Sequence, residues 1–187
     1  MLPDRDFSEL PTDRLVIRRF RSEDASAFAA YRSDPDVARY QSWDSYTQQQ
    51  ADDMVREMAG LHPGVPGEWF QFAVADPTNN ELLGDVGLRV DAEDTSRAEL
   101  GSRAELGFTL APAHQRKGYA TEAVKGVIAY VFEQLGAETV FAVADARNDA
   151  SIASLERIGM RHTTTERTRF KGEWCDEHTY ELRRDEG

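Results

Sequence analysis

The sequence predicts a single α/β domain over residues 1–187, with a mixed, mostly antiparallel sheet of about six to seven strands and about four flanking helices. Three observations carry this. Apolar, strand-like runs at 69–75, 82–90 and 104–110, the first two joined by the turn "DPTNN", are separated by short polar turns that mark all three as antiparallel neighbours. From Gly118 to Gln134 the apolar positions Ala120, Ala123, Val124, Val127, Ile128 and Val131 form an uninterrupted helical stripe. "TVFAVA" at 139–144 is then apolar on both faces, as a central strand is.

The remaining elements follow in order. "RLVIRRF" (14–20) reads as a first strand, and Ser22 as the N-cap of a helix carrying Ala25, Phe28 and Ala29 on one face. Pro35 restarts a short helical piece through Val37 and Tyr40. Thr47 and Gln50 form a capping box for a helix whose stripe is Ala51, Met54, Val55 and Met58, and "HPGVPG" stops it. Gly136 ends the long helix, a further helix runs from about Ala150 to Ile158, and Gly159 ends that one. "HTTTERTRF" and "EWCDEHTYEL" flank Lys171-Gly172 as a closing hairpin. The pentapeptide RAELG occurs twice, at 97–101 and 103–107; the second copy runs straight into strand sequence, and the first is a strand start or part of a loop.

A net charge of −12 argues against nucleic acid, whose binding is driven by cations meeting phosphates, and leans toward cationic partners such as amines. No apolar run reaches the roughly 18 residues of a membrane helix, and "MLPDRDFSEL" has no apolar signal segment, so a cytoplasmic protein is expected. The single cysteine, Cys175, excludes an internal disulfide and reads as a filler thiol within a strand. The four histidines lack metal-ligand spacing, so no metal is expected.

"HQRKGYATEA" (114–123) stands out in so acidic a chain. Arg116, Lys117 and Gly118 lie where a helix begins, and a helix N-terminus presents unpaired N–H groups and a partial positive charge. A glycine there lets an anion approach the main chain, so the loop suits a pyrophosphate. A strand–turn–helix with a solvated basic face explains the same residues, and on the residues alone both readings stand.

Strand "AELGFTL", the pattern Gln115-x-x-Gly118-x-Ala120, the long helix and then "NDASIASLERIGM" resemble the acetyl-CoA-binding signature of the GNAT N-acetyltransferases. The order of elements is similar along nearly the whole chain. "PTDRLVIRRF" and "GEWCDEHTYEL" resemble most the ribosomal-protein N-terminal acetyltransferase branch. The resemblance implies a V-shaped cofactor slot opened by a bulge in the 104–110 strand and its splaying from 139–144. It implies acetyl-CoA as co-substrate, held by main-chain groups of Phe108, Thr109 and Leu110 and by the amides of Gln115, Arg116, Lys117, Gly118, Tyr119, Ala120 and Thr121. Asn148 would bond the pantetheine arm, or cap a helix, or both. Glu105 matches a strand glutamate that serves some members as base; a solvated carboxylate on an exposed face is the other reading. An N–H near Leu110 would meet the oxyanion.

Many relatives carry a tyrosine seven residues after the asparagine. Leu155 stands there and cannot donate, which leaves Ser151 in reach of the coenzyme and its leaving thiolate, unless Ser151 caps its helix. Met160, where an aromatic is usual, is a packing change. The acceptor pocket is expected between the first two helices and the closing hairpin, near the aromatics Tyr40, Trp43, Tyr46 and Trp69 and the acids Asp44, Asp52 and Asp53, a combination that suits a cation or a core. Expected partners are acetyl-CoA and an amine, with no nucleic acid or membrane, and a homodimer as the assembly. The function implied is acetyl transfer to a primary amine by direct attack; an acyl-CoA-binding sensor without turnover is the alternative. A nucleotide-binding phosphate module would want a glycine-rich loop that does not occur around Gly118.

Overall fold

The chain is described by a computed structural model covering residues 3–91 and 102–186. Eight strands form one sheet in the order β1-β2-β3-β4-β5-β6-β8-β7. They are β1 (Glu9–Pro11), β2 (Val16–Arg18), β3 (Trp69–Ala75), β4 (Leu82–Val90), β5 (Arg103–Leu110), β6 (Thr139–Asp145), β7 (Arg161–Phe170) and β8 (Glu173–Arg183). The helices are α1 (Ala25–Arg32), α2 (Pro35–Ala38), α3 (Gln48–Gly60), α4 (Tyr119–Tyr130) and α5 (Asp149–Ile158).

Strands 69–75 and 82–90 end where the turn chemistry places them, and the second RAELG copy lies in β5. The first copy lies outside the described residues. The eighth strand, β1, is three residues of "SELP" paired with β2, too short to carry an alternating pattern. Ser22 is not an N-cap: the chain enters α1 through a 3₁₀ turn over Ser22–Asp24, in which Asp24 Oδ2 accepts from the Arg21 N–H at 2.7 Å. The Thr47–Gln50 capping box is present, and Asp34 caps α2 by accepting from the Asp36 and Val37 N–H groups. The long helix ends in a π turn, Val131–Leu135, before Gly136.

Alternation along the strands gives the sheet one face covered by α4 and α5 and a second face covered by α1 and α3 over β3 and β4. Phe72, Val86, Leu106, Val140 and Ala142 pack with Val124 and Val127 of α4 and Leu155 of α5. On the other face Ala73 and Leu82 pack with Phe28 and Ala29 of α1 and with Ala51 and Val55 of α3. That second face also buries an ion pair. Asp85, 2% exposed, accepts from Tyr31 Oη at 2.5 Å and from Arg32 Nη2 at 2.8 Å. Trp43 lies 3.9 Å from the Arg32 guanidinium and donates to the Arg32 carbonyl at 3.0 Å.

One junction departs from a regular sheet. β5 and β6 are parallel and pair only at Arg103↔Thr139, Ala104↔Val140 and Glu105↔Phe141. Beyond that, β5 continues to Leu110 and β6 to Asp145 without pairing, so the strands form a V. A bulge in β5 is not what opens it. The β4–β5 register runs unbroken from Gly84↔Leu110 to Val90↔Ala104, and β4's register shift is against β3, at Val74/Ala75. β4 therefore holds β5 straight, and the slot arises from divergence alone.

Candidate active site

From Leu106 to Leu110 the β6-facing edge of β5 has no strand to satisfy its N–H and C=O groups. Backbone polar groups left this way need water or a ligand. The opening between the strands is a cavity of about 110 Å³. Gly107, Phe108, Val143, Asn148, Ser151 and Glu177 are among its lining residues, and Tyr40 and Gln41 line it too. A side chain at Gly107 would meet nothing within 4 Å, so the glycine leaves open space beside the slot.

The loop 115–118 is exposed and leads into α4. Gly118 takes a left-handed conformation, φ 82°, at the N-cap of α4, and Arg116 does the same at φ 61°. For arginine that conformation costs of order 1 kcal/mol and clusters at functional turns. Gln115 Nε2 ties the loop back to the Leu110 carbonyl at 3.0 Å. A third cation, Arg14, joins Arg116 and Lys117 here. Its guanidinium donates to the Lys117 carbonyl at 3.1 Å, lies 4.8 Å from the Tyr119 ring centre and pairs with Glu122 at 2.7 Å. Burial pushes the Glu122 carboxyl up, but hydrogen bonds from Thr12 and Arg14 outweigh it and hold it below the usual carboxylate range. Glu122 is thereby a fixed anion that orients Arg14 at the helix mouth. Nothing local in the sequence announces Arg14, which reaches the loop from more than a hundred positions away.

Asn148 is the N-cap of α5: its Oδ1 accepts from the Ser151 N–H at 3.2 Å, and the same residue lines the cavity. Ser151 is therefore not the cap. Its hydroxyl belongs to a residue on the cavity wall, while Leu155 is 1% exposed in the core and takes no part in the slot. Met160, 3% exposed, packs in the same core.

Of the aromatic positions expected near the acceptor, Tyr40 lines the cavity and donates to the Arg147 carbonyl at 3.2 Å. Trp43 and Tyr46 instead enclose Arg32. Trp69, 36% exposed, lies beside Arg89 on β4, away from the cavity lining. Asp52 and Asp53 bond Gln48, Gln49 and Arg56 along the solvent side of α3. Asp44 pairs with Lys171 at 2.8 Å, and Lys171 Nζ also donates to the Ala38 and Trp43 carbonyls at 2.9 and 2.7 Å. The tip of the β7–β8 hairpin thus clamps the segment after α2. Beside this clamp a second cavity, about 290 Å³, is lined by Arg39, Tyr40, Arg147, Phe170, Lys171 and Glu173.

The carboxylates divide sharply. Glu105 is bound by Arg89 at 2.5 Å and is not among the lining residues of either cavity. Asp145 accepts from Arg147 Nη2 at 2.7 Å and Nε at 2.9 Å, and these hydrogen bonds hold it below the usual range. Glu177, opposite Asp145 on β8, is raised by burial and by the charges of Asp145 and Glu166. Composition offers no sign of Glu177, because its setting depends on strand register. Cys175 is buried, which together with Asp145 and Glu177 pushes its thiol up; it is a poor nucleophile at neutral pH.

Residues 14–161 match the family model described as an acetyltransferase (GNAT) domain. The chain belongs to the GNAT acetyltransferases. A relative named uncharacterized N-acetyltransferase YoaA, from Bacillus subtilis, is 31% identical over 156 residues, 83% of this chain and 84% of its own. The GNAT-family acetyltransferase from Bacillus anthracis has the same fold with TM-score 0.80 and 26% identity, covering 95% of this chain and 99% of that one. The ribosomal-protein-S5-alanine acetyltransferase from Vibrio fischeri shares the fold at TM-score 0.78 and 20% identity, over 96% and 98% of the two chains. A GNAT enzyme uses acetyl-CoA, and the β5–β6 slot with the α4 mouth fits that ligand: unpaired backbone along one strand edge, then a glycine N-cap among three cations.

Proposed function

We propose that this GNAT enzyme transfers the acetyl group of acetyl-CoA to a primary amine, with both substrates bound at once and no covalent enzyme intermediate. The observation that supports this best is the divergence of β5 and β6 after Glu105↔Phe141, which joins a coenzyme slot to an acceptor cavity in one opening. Amides from Gln115 to Thr121, aided by Arg14, Arg116 and Lys117, hold the pyrophosphate at the positive end of α4. Backbone groups of Phe108, Thr109 and Leu110 line the pantetheine and thioester, and Asn148 bonds the arm. Bound acetyl-CoA supplies the electrophilic carbonyl; an N–H near Leu110 meets the oxygen as it gains charge. Ser151 gives a proton to the departing sulfur. Cys175, buried with a raised thiol, is not a candidate for an acyl-enzyme.

An amine arrives protonated at neutral pH and must lose a proton before it attacks. The acceptor is a protein N-terminus or a small-molecule amine. The test is turnover of acetyl-CoA, read as released thiol, against a panel containing spermidine, an aminoglycoside and peptides that begin with serine and alanine. Release of thiol with one of these is the expected result. Binding of acetyl-CoA without release across a broad panel would favour a coenzyme sensor.

A further inference from the structure

We propose that Glu177, rather than Glu105, takes the proton from the acceptor amine. This rests on the acetyl-transfer reading above and names the proton acceptor within it. Ala142 and Ala144 of β6 face the α4–α5 core, so Val143 and Asp145 face the opposite side. Val143 is 44% exposed there, a large apolar side chain bare beside the slot. Glu177 pairs with Asp145 and shares that side, whereas Ser151 comes from α5 on the first side. Both line one cavity, so the opening runs through the sheet. A coenzyme lying over α4 meets Ser151; an amine entering past Tyr40 meets Glu177.

Glu105 does not have this position. It sits at the last paired step of β5 and β6, below the fork, with its carboxylate on Arg89. Among the described residues Glu177 makes no side-chain hydrogen bond or ion pair, although it is partly buried. Its charged surroundings come from each packed element: Asp145 on β6, neutralised by Arg147; Glu166 on β7, directly opposite; and the Cys175 thiol on its own strand. Three carboxylates therefore stand side by side across three strands, an arrangement that costs stability. Among the described residues, Asp145 is the one of the three held in an ion pair, with Arg147. The result is a pair driven apart, Asp145 held ionised and Glu177 made more basic, which is how neighbouring carboxylates acquire different tasks.

The proton balance closes on these residues. Glu177 accepts one proton from the ammonium, freeing the nitrogen lone pair to form the C–N bond as the C–S bond breaks. The sulfur takes a proton from Ser151, which regains one from the nitrogen. One amide and one thiol form, and Glu177 releases its proton to solvent.

The test compares pH profiles of kcat/KM for the wild type, Glu177→Gln, Glu177→Asp and Glu105→Gln, using the amine found active in the panel. Glu177→Gln should lose about 10²–10⁴-fold at neutral pH, with the loss shrinking toward the amine's own pKa near ~10. The limb set by Glu177 should disappear, leaving only the rise that follows the amine's own deprotonation; Glu177→Asp should restore the Glu177 limb, and the acetyl-CoA-induced rise in Tm should stay at the wild-type size. Glu105→Gln should keep the wild-type profile. The raised Glu177 makes ionisation costly to the fold above the unfolded glutamate pKa of about 4.3, so Glu177→Gln should melt higher than wild type at pH 7 and converge with it at pH 4. A wild-type profile in Glu177→Gln overturns the proposal, as does its signature appearing in Glu105→Gln instead. A wild type that turns over no amine overturns the acetyl-transfer reading itself.

Discussion

Gly118 gives the sharpest test of the pyrophosphate site, because strain and charge can be separated there. Gly118→Ala and Gly118→Asp both force an L-residue into φ 82°, at roughly 1–2 kcal/mol. At about 2–4 °C per kcal/mol for a chain of this size, both variants should melt about 2–8 °C below wild type. The added Cβ meets Arg14 Nη2 at 3.4 Å, an ordinary contact, so no further steric loss is expected without ligand. The two should differ when acetyl-CoA is added. At a hundredfold excess over Kd, wild type should gain about 2.7 kcal/mol, which at the same conversion is about 5–11 °C. Gly118→Ala should keep part of that gain, since it adds bulk without charge. Gly118→Asp should abolish it, because a carboxylate would face the pyrophosphate and compete for Arg14. Differential scanning fluorimetry with and without acetyl-CoA measures all three proteins. A wild-type-sized shift in Gly118→Asp would refute the assignment of the α4 mouth.

Other consequences follow from the same geometry. Asp85→Ala should cost about 3–5 kcal/mol in urea unfolding, because it strands the Arg32 cation in the core, whereas Arg32→Met combined with Asp85→Leu should recover most of that. Lys171→Met should release the segment after α2 from the hairpin tip and raise KM for the amine several-fold with little change in acetyl-CoA binding, measured by steady-state kinetics. Ser151→Ala should lower kcat while sparing the acetyl-CoA thermal shift, and its defect should persist at high pH, since protonation of the sulfur does not depend on the state of the amine.

What could be read in advance follows the range of the forces involved. The α4 stripe, the Thr47–Gln50 capping box and the Gly136 and Gly159 stops are local, so the residues that make them also announce them. The proposed coenzyme end is nearly as local: Gln115 to Gly118 form one loop that runs into the first turn of α4 at Tyr119 to Thr121, and Asn148 caps the helix that carries Ser151. β1 escaped because three residues hold no period, and the absence of a bulge in β5 because register belongs to a pair of strands. Trp43 and Tyr46 looked equally suited to a ligand cation and to a core; the cation they enclose is the chain's own Arg32.

Arg14 and Glu177 show why the rest was out of reach. Arg14 reaches the α4 mouth only because β2 brings the segment before it alongside that helix, where Glu122 anchors it. Glu177 acquires its setting only when β8 pairs with β6 on one side and β7 on the other, setting it between Asp145 and Glu166. Neither depends on the total charge of −12, which describes the solvated surface. In the proposed reaction the cations Arg14, Arg116 and Lys117 hold the polyphosphate at the α4 mouth, and the carboxylates beside the fork of β5 and β6 receive the ammonium. If that fork is the reaction centre, neutralising Arg14 should weaken acetyl-CoA binding without altering the pH profile, and removing the Glu177 charge should alter the profile without weakening acetyl-CoA binding.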